Sequence, residues 1–250
     1  AVSAMIGVAL QEEPSLGVHH LTHDITPYNT FEASYRLFQT VEYWPKGTTF
    51  VSVVDPGVGS SRKSVVALTK TGQYIVTPDN GTLSYIKKDV GIVAVREISE
   101  VENRRSNTEL SYTFHGRDVY AYTGAKLASG HISFEEVGPE LPVDKILEFP
   151  VVETIIEENL VRGAIDILDV RFGSLWTSIT RDDFYALEPN FGDRFEVTIF
   201  NNDMLVYQNQ VTYGKSFADV RIGQPIIYIN SLYRVGLAIN QGSFAKAYNV

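Results

Sequence analysis

A short apolar run that stops abruptly at a charged residue most constrains how this chain can fold. Residues 48–54 are apolar and rich in β-branched side chains, which is typical of a buried strand. Asp55, a Pro-Gly-x-Gly turn and Arg62 follow at once. In α/β proteins, such a strand with a polar, glycine-rich loop behind it often presents chemistry at the carboxyl end of the sheet. The stretch therefore predicts an α/β unit with a functional loop after this strand.

A second polar cluster, residues 112–118, ends another apolar segment and precedes a predicted helix over residues 118–129. It supplies the imidazole of His115, so that the two stretches together offer a carboxylate, a guanidinium and an imidazole. Each group also has an ordinary interpretation. Asp55 can be a turn residue before proline, Arg62 can form a surface ion pair, and an isolated histidine is more often structural than catalytic.

The order of the predicted elements favours two domains. Strands alternate with helices over the first half, which favours an α/β fold with a largely parallel sheet. Within it, residues 64–69 and 73–77 flank a Thr-Gly pair and predict a hairpin. We expect an α/β domain over residues 1–145.

Three prolines at positions 139, 142 and 150 form a linker-like stretch, beyond which the segments are short, β-rich and separated by turns. This pattern is typical of a small all-β barrel or sandwich. We therefore expect a β-barrel domain over residues 151–250. Its predicted strands are residues 151–156, 160–170, 194–200, 205–211, 225–229 and 233–239.

Composition excludes several classes of protein. The net charge of −9 argues against general nucleic-acid binding. No run approaches the ~18 apolar residues of a membrane span. The chain has no cysteine, so disulfides and thiolate metal sites are excluded. Because no secretory signal is visible, we expect a cytoplasmic protein with neither nucleic-acid nor membrane partners.

A histidine-rich segment suggests a metal site at first sight. It contains His19, His20, His23 and Asp24 within a strand predicted over residues 17–25. Adjacent strand residues point to opposite faces, so His19 and His20 would not converge. No matching group of ligands is evident elsewhere in the sequence. We therefore expect no metal site.

Seven short motifs in order along the chain resemble the S-adenosyl-L-methionine (SAM) hydrolase family. This adenosine-forming family, also called SAM hydroxide adenosyltransferases, is related to the SAM-dependent fluorinase and chlorinase. The motifs are THDITP at 22–27, VVDPGVGSSR at 53–62, PDNG at 78–81, TFHGRD at 113–118, FGSLWT at 172–177, INS at 229–231 and INQGS at 239–243.

The resemblance implies an α/β N-terminal domain and a C-terminal β-barrel, in a homotrimer whose active sites lie between subunits. It implies SAM as the substrate, with no further cofactor. Family members begin with a strand and an Asp-bearing loop that binds the ribose hydroxyls. That piece would lie before Ala1, so the N-terminal domain is expected to lack its first strand.

The resemblance also assigns roles to individual residues. The catalytic triad of the family maps onto Asp55, Arg62 and His115. The remaining positions belong to the substrate site. They are Tyr28 beside the ribose, Thr113 and Phe114 in the nucleophile pocket, Asp169 and Ser231 at the methionine, and Phe172, Ser174, Trp176, Asn240 and Gln241 around the adenine-binding segments. Ser174 stands where related enzymes often have asparagine, which puts that side-chain contact in doubt.

The implied reaction is attack of water on the ribose 5′ carbon of SAM, with methionine as the leaving group. An imidazole with a pKa near ~6.5 is suited to accept a proton. The Arg62 guanidinium would stabilise hydroxide, and Asp55 would orient these groups or hold the water. Two alternatives stay open at this point: transfer of the adenosyl group to a halide, and a non-catalytic sensor of SAM or adenosine.

Overall fold

A computed structural model of the protein describes residues 1–169 and 171–250, and these divide into two compact units, Ala1–Phe149 and Pro150–Val250. Val170, at the end of the strand predicted over residues 160–170, lies outside the described residues.

The N-terminal unit is a mixed α/β structure. Its helices are α1 (Val2–Glu12), α2 (Thr30–Phe38), α3 (Glu100–Asn103) and α4 (Tyr122–Ser129). Its strands are β1 (Thr49–Val51), β2 (Ser64–Thr69), β3 (Tyr74–Pro78), β4 (Ile92–Glu97) and β5 (Glu140–Leu141). Single helical turns lie at Val41–Tyr43, Ile86–Val90, Gly116–Ala121, Glu135–Val137 and Val143–Lys145.

The sheet of this unit is mixed, so the prediction of a largely parallel sheet is wrong. The strand order is β1-β3-β2-β4-β5, and of these described pairs only β1 with β3 is parallel. The predicted hairpin of β2 and β3 is confirmed. It explains the difference, because a chain that returns through a tight turn pairs antiparallel.

A helical segment that begins directly after His115 packs on this sheet. It starts as a π-helical turn at Gly116, two residues before the predicted start, and continues as α4 until Gly130, whose φ of 75° ends it. Val119 and Tyr120 are fully buried against the sheet. A Cβ added at Gly124 would lie 2.6 Å from the Val51 side chain, so only glycine lets the helix approach β1 this closely.

The strand predicted over residues 17–25 is not formed. These residues have no helix or strand, and Val18 and Leu21 remain 40% and 38% exposed. Without a buried apolar face, the alternating pattern has nothing to pack against.

The C-terminal unit is rich in β-structure. Its strands are β6 (Ile155–Glu157), β7 (Leu160–Arg162), β8 (Ile165–Leu168), β9 (Leu175–Thr180), β10 (Arg194–Asn201), β11 (Met204–Tyr213), β12 (Pro225–Ile229) and β13 (Arg234–Ile239). Its α-helices are α5 (Arg181–Tyr185) and α6 (Phe244–Tyr248).

Six of these strands form one sheet, in the order β10-β11-β12-β13-β9-β8, while β6 and β7 form a separate hairpin. Among the described pairs, only β11 with β12 is parallel. The expectation of an all-β domain is thus confirmed in part, since strands dominate this unit and its two α-helices are short. The described pairs leave β10 and β8 as edges, however, which is an open half-barrel rather than a closed barrel.

Over the described ranges, no helix has both the length and the apolar character needed to cross a membrane.

Candidate active site

The loop that carries Asp55 is held at the end of β1 by backbone and side-chain contacts. The Ser52 N–H donates to Val76 O at 3.0 Å, which continues the parallel pairing beyond the strand. The Asn80 Nδ2 donates to Val54 O at 2.9 Å, directly before Asp55. Asn80 belongs to the PDNG motif of the family resemblance, to which no functional residue was assigned. Its amide fixes the point at which the loop leaves the sheet.

The same loop then approaches the second motif. Gly59 has a φ of 78°, and a Cβ there would lie 3.2 Å from the carbonyl oxygen of Tyr112. Glycine is needed here both for its backbone conformation and for the space. This contact brings the Asp55 loop beside the residues that lead into His115.

The structure brings Asp55, Arg62 and His115 together in the N-terminal unit. The Arg62 Nε donates to Asp55 Oδ1 at 2.9 Å, and its Nη2 donates to Asp55 Oδ2 at 2.5 Å. The same Nη2 lies 2.9 Å from His115 Nδ1. The guanidinium therefore stands between the carboxylate and the imidazole and contacts both.

All three side chains are withdrawn from solvent. The Asp55 and Arg62 side chains are 6% and 9% exposed, and His115 is 4% exposed. The Nε2 of His115 is buried and has no hydrogen-bond partner among the described residues. An unsatisfied buried polar atom costs free energy, so a small polar ligand beside this atom would be stabilised.

The surroundings of His115 favour its neutral form. Burial lowers the pKa of the imidazole most, and the nearby Arg62 and Arg104 lower it further, although Glu100 and Asp55 act in the opposite direction. A guanidinium can only donate hydrogen bonds, so His115 Nδ1 accepts from Arg62. The single proton of the neutral ring then lies on Nε2, the atom without a partner.

The predicted residues next to the triad differ in exposure. Thr113 is exposed, and its Oγ1 lies 3.2 Å from Ser111 Oγ. Phe114 is partly buried beneath the Arg117 guanidinium, 4.9 Å from the ring centre. Tyr28 is 78% exposed and has a φ of 69°, a strained conformation for a tyrosine. Among the described residues, no hydrogen bond or ring contact joins Tyr28 to the triad.

In the C-terminal unit, Asp169, Phe172 and Ser174 share one tight turn. The Asp169 Oδ1 accepts from the backbone N–H of Arg171 at 2.9 Å and from that of Phe172 at 3.3 Å. The Asp169 N–H donates to Ser174 O at 2.8 Å, which closes the turn. The Phe172 ring is left 71% exposed, whereas Ser174 is buried. The turn thus presents an aromatic ring to solvent beside an aspartate.

The remaining predicted residues lie on or beside neighbouring strands. The Trp176 Nε1 donates to Tyr228 OH at 2.9 Å. Ser231 is exposed in the turn between β12 and β13, while Asn240 and Gln241 follow the far end of β13. The Asn240 Nδ2 donates to Val220 O at 2.8 Å. Ser231 and Asn240 are therefore separated by the length of the six-residue strand β13, about 20 Å.

The histidine-rich segment holds one close pair. His20 Nδ1 lies 2.8 Å from His23 Nε2 on the surface. Across residues 1–169 and 171–250, no group of three or more His, Cys, Asp or Glu side chains is placed to hold a metal ion.

Comparison with known proteins gives consistent matches along the chain. The SAM hydroxide adenosyltransferase N-terminal domain matches residues 1–138, and the C-terminal domain of the same family matches residues 163–250. The (R)-S-adenosyl-L-methionine hydrolase of Thermus thermophilus is 30% identical, with 98% of this chain and 89% of the relative covered. A fluorinase of Actinopolyspora mzabensis is 27% identical over 91% of this chain and 82% of its own length.

A solved structure is similarly close. An uncharacterized conserved protein from Thermotoga maritima matches with a TM-score of 0.91 and 31% identity, covering 100% of this chain and 91% of its own. Because the two domain profiles together extend over both structural units, the protein belongs to the SAM hydroxide adenosyltransferase family.

Proposed function

We propose that this protein hydrolyses SAM to adenosine and L-methionine. The observation that carries the proposal is the buried Asp55–Arg62–His115 network, in which His115 Nε2 is a buried nitrogen without a hydrogen-bond partner among the described residues. Relatives named SAM hydrolase support the same reaction. The substrate would be SAM itself, without a further cofactor.

The reaction is a single displacement. A bond forms between the water oxygen and the ribose 5′ carbon while the carbon–sulfur bond breaks. The electron pair of that bond goes to sulfur, so methionine leaves as a neutral thioether and needs no acid. The proton lost from the attacking water completes the balance. The protein's task is therefore to place and polarise the water, and such positioning lowers barriers by up to ~7–11 kcal/mol in well-aligned cases.

The position of the imidazole proton suggests how the roles divide. With Nδ1 occupied by Arg62 and the proton on Nε2, His115 donates to the oxygen of the water rather than accepting its proton. The Asp55 oxygens keep free lone pairs beside their bonds to Arg62, so Asp55 accepts the proton of the water. Arg62 balances the charge of the carboxylate and stays protonated.

The substrate-holding roles are part of the same proposal. Phe172 would stack on adenine, Asp169 and Ser231 would bind the methionine end, and Tyr28 would lie beside the ribose. The separation of Ser231 from Asn240 suits an elongated ligand held at both ends. We also propose a homotrimer with active sites between subunits. Light scattering of the purified protein tests the trimer.

The decisive test is product analysis in oxygen-18 water. Incubation with SAM is expected to yield adenosine carrying the label in its 5′-hydroxyl and unlabelled methionine, measured by chromatography and mass spectrometry. Adenosine that lacks the label in its 5′-hydroxyl would contradict attack of water at the 5′ carbon. Intact SAM after long incubation, despite measured binding, would favour the sensor.

Transfer to a halide is the second candidate. A buried N–H donor suits a small anion as well as water, and several relatives are named fluorinase. The Asp55 carboxylate nearby opposes an anion, which is why we prefer water. Formation of a 5′-haloadenosine that depends on added fluoride or chloride would reverse this preference.

Activity is expected to depend on pH through His115. Because the pKa of His115 lies below its ordinary value of 6.5, kcat/KM should be flat above pH 6.5 and fall at lower pH. Protonation of His115 at Nδ1 breaks the hydrogen bond from Arg62 and places the imidazolium beside the guanidinium. The unfolded chain also binds this proton at higher pH than the folded chain does, so stability falls as pH drops below about 6.5.

His115→Gln is the control for that pH profile. Glutamine does not titrate, so the residual kcat/KM of this variant should show no fall that is due to protonation of the imidazole. A step centred above pH 6.5 in the unchanged protein would contradict the neutral, buried imidazole.

Stacking on Phe172 predicts an effect on substrate binding. Phe172→Ala is expected to raise KM by about 10-fold and to change kcat less, because stacking of a base on an aromatic ring is worth ~1–3 kcal/mol. The matched control is Phe200→Ala in the same unit, where the ring is 59% exposed. Equal KM values for the two variants would remove Phe172 from the adenine site.

A further inference from the structure

The Arg62 guanidinium has a third anchor that the triad does not account for. Its Nη1 donates to Ser64 Oγ at 2.8 Å, on the side away from Asp55. Ser64 is 5% exposed and is the first residue of β2. The contact joins Arg62 to a regular strand rather than to its own loop.

Ser64 is itself held by a second buried hydroxyl. Its Oγ lies 3.1 Å from Tyr120 OH. Tyr120 has no exposed surface, and its ring lies beside two members of the triad, with the Arg62 guanidinium carbon 5.6 Å and the His115 ring 6.5 Å from its centre. Burial raises the pKa of Tyr120 above its ordinary value, so its hydroxyl keeps its proton.

The anchor decides which edge of the guanidinium faces Asp55. An arginine can pair with a carboxylate through Nε and one terminal nitrogen, or through both terminal nitrogens. Arg62 uses Nε and Nη2, while Ser64 occupies Nη1. Without Ser64 the guanidinium can rotate to the second mode. Both terminal nitrogens would then face Asp55, and the donor to His115 Nδ1 would be lost.

We propose that Ser64 and Tyr120 are positioning residues that hold the Arg62 guanidinium edge-on to Asp55 and thereby keep the proton of His115 on Nε2. The orientation is supplied by β2 and by the helical turn Gly116–Ala121, both parts of the N-terminal unit. The kinetic consequence rests on the proposed hydrolysis. The position of the His115 proton does not depend on that proposed function.

The test is the tautomer of His115, read by long-range proton–nitrogen NMR on protein labelled at its five histidines. Loss of the His115 signals in His115→Gln assigns them. The unchanged protein is expected to show the Nε2–H form. Ser64→Ala is expected to shift it towards the Nδ1–H form, whereas Ser64→Thr, which keeps the hydroxyl, retains the Nε2–H pattern. Tyr120→Phe keeps the ring and is expected to give a smaller shift.

The matched control is Thr69→Val, which removes a buried hydroxyl from the other end of β2 and is expected to leave His115 unchanged. In the hydrolysis assay, Ser64→Ala is expected to lower kcat by about 10- to 100-fold with little change in KM, as for the loss of a hydrogen bond to a charged group.

An Nδ1–H tautomer in the unchanged protein would overturn the inference, and so would an unaltered tautomer in both Ser64→Ala and Tyr120→Phe. If Ser64→Ala does not fold, Tyr120→Phe and the unchanged protein still decide the matter. A shifted tautomer in a protein without hydrolase activity would refute the proposed function and leave the positioning role standing.

Discussion

Asp55→Asn is expected to lower kcat/KM for SAM hydrolysis by about 1,000-fold. The change removes the proposed proton acceptor, and proton transfer by a positioned group contributes ~10²–10⁴-fold. It also turns an amide N–H towards the Arg62 donors in a site where the guanidinium side chain is only 9% exposed. Leaving a buried charge without its partner costs ~3 kcal/mol or more, so the free energy of unfolding is expected to fall as well.

Single-turnover chromatography and urea unfolding measure the two effects separately. Asp144→Asn is the matched control, because the Asp144 side chain is 73% exposed and pairs with the surface residue Lys145. An Asp55→Asn protein that stays folded and retains activity within tenfold of the unchanged protein would exclude Asp55 from the chemistry.

Gly138→Ala is expected to destabilise the N-terminal unit by about 4 kcal/mol. Gly138 has a φ of 150°, and an added Cβ would collide with the carbonyl oxygen of Glu97 and lie 2.9 Å from the Ser99 nitrogen. Both obstacles are backbone atoms at the end of β4 and cannot rotate away. Backbone strain and overpacking each cost ~1–3 kcal/mol.

Gly130→Ala provides the comparison for backbone conformation alone. Gly130 has a φ of 75°, and nothing lies within 4 Å of a Cβ added there, so a loss of only ~1–2 kcal/mol is expected. Urea unfolding can be followed in a Trp176→Phe background, where Trp44 is the only remaining tryptophan and reports on the N-terminal unit. Equal losses for both glycine variants would contradict the collision at Gly138.

The triad could be assigned through the family resemblance, and two of its members also follow recognisable local patterns. Asp55 ends an apolar strand, and His115 directly precedes a helix that packs on the same sheet. The contact with Ser64 could not be predicted in this way. A serine that begins a strand carries no local signal, and its role depends on which edge of the Arg62 guanidinium, two residues earlier, reaches it.

Strand direction was the main error in the fold, and its cause is physical. Alternating strands and helices imply crossover connections, which make neighbouring strands parallel. Here β2 lies between β3 and β4 and runs antiparallel to both. A tight turn reverses the chain from β2 to β3. The chain then passes through a helical turn to β4, which runs in the same direction as β3 on the other side of β2. Apolar periodicity identifies strands but does not indicate the type of connection between them, and therefore not their relative direction.

In the C-terminal half, strand β9 was not predicted, although its neighbours largely were. Its residues Leu175–Thr180 directly follow Gly173, which has a φ of 68° and lies in a turn. The half-barrel also depends on the parallel pairing of β11 with β12, which skips the intervening turn Phe217–Asp219. The sequence of one strand alone does not indicate which separate strand it will pair with.

The triad and the two residues that position it, Ser64 and Tyr120, lie close together in the sequence, which has a consequence for inheritance. Every member of the network, from Asp55 to Tyr120, lies within one stretch of 66 consecutive residues. A genetic crossover downstream of Tyr120 would transmit that stretch as a single block. Shuffling with relatives can then exchange the Phe172 turn and everything beyond it without separating any two members of the network.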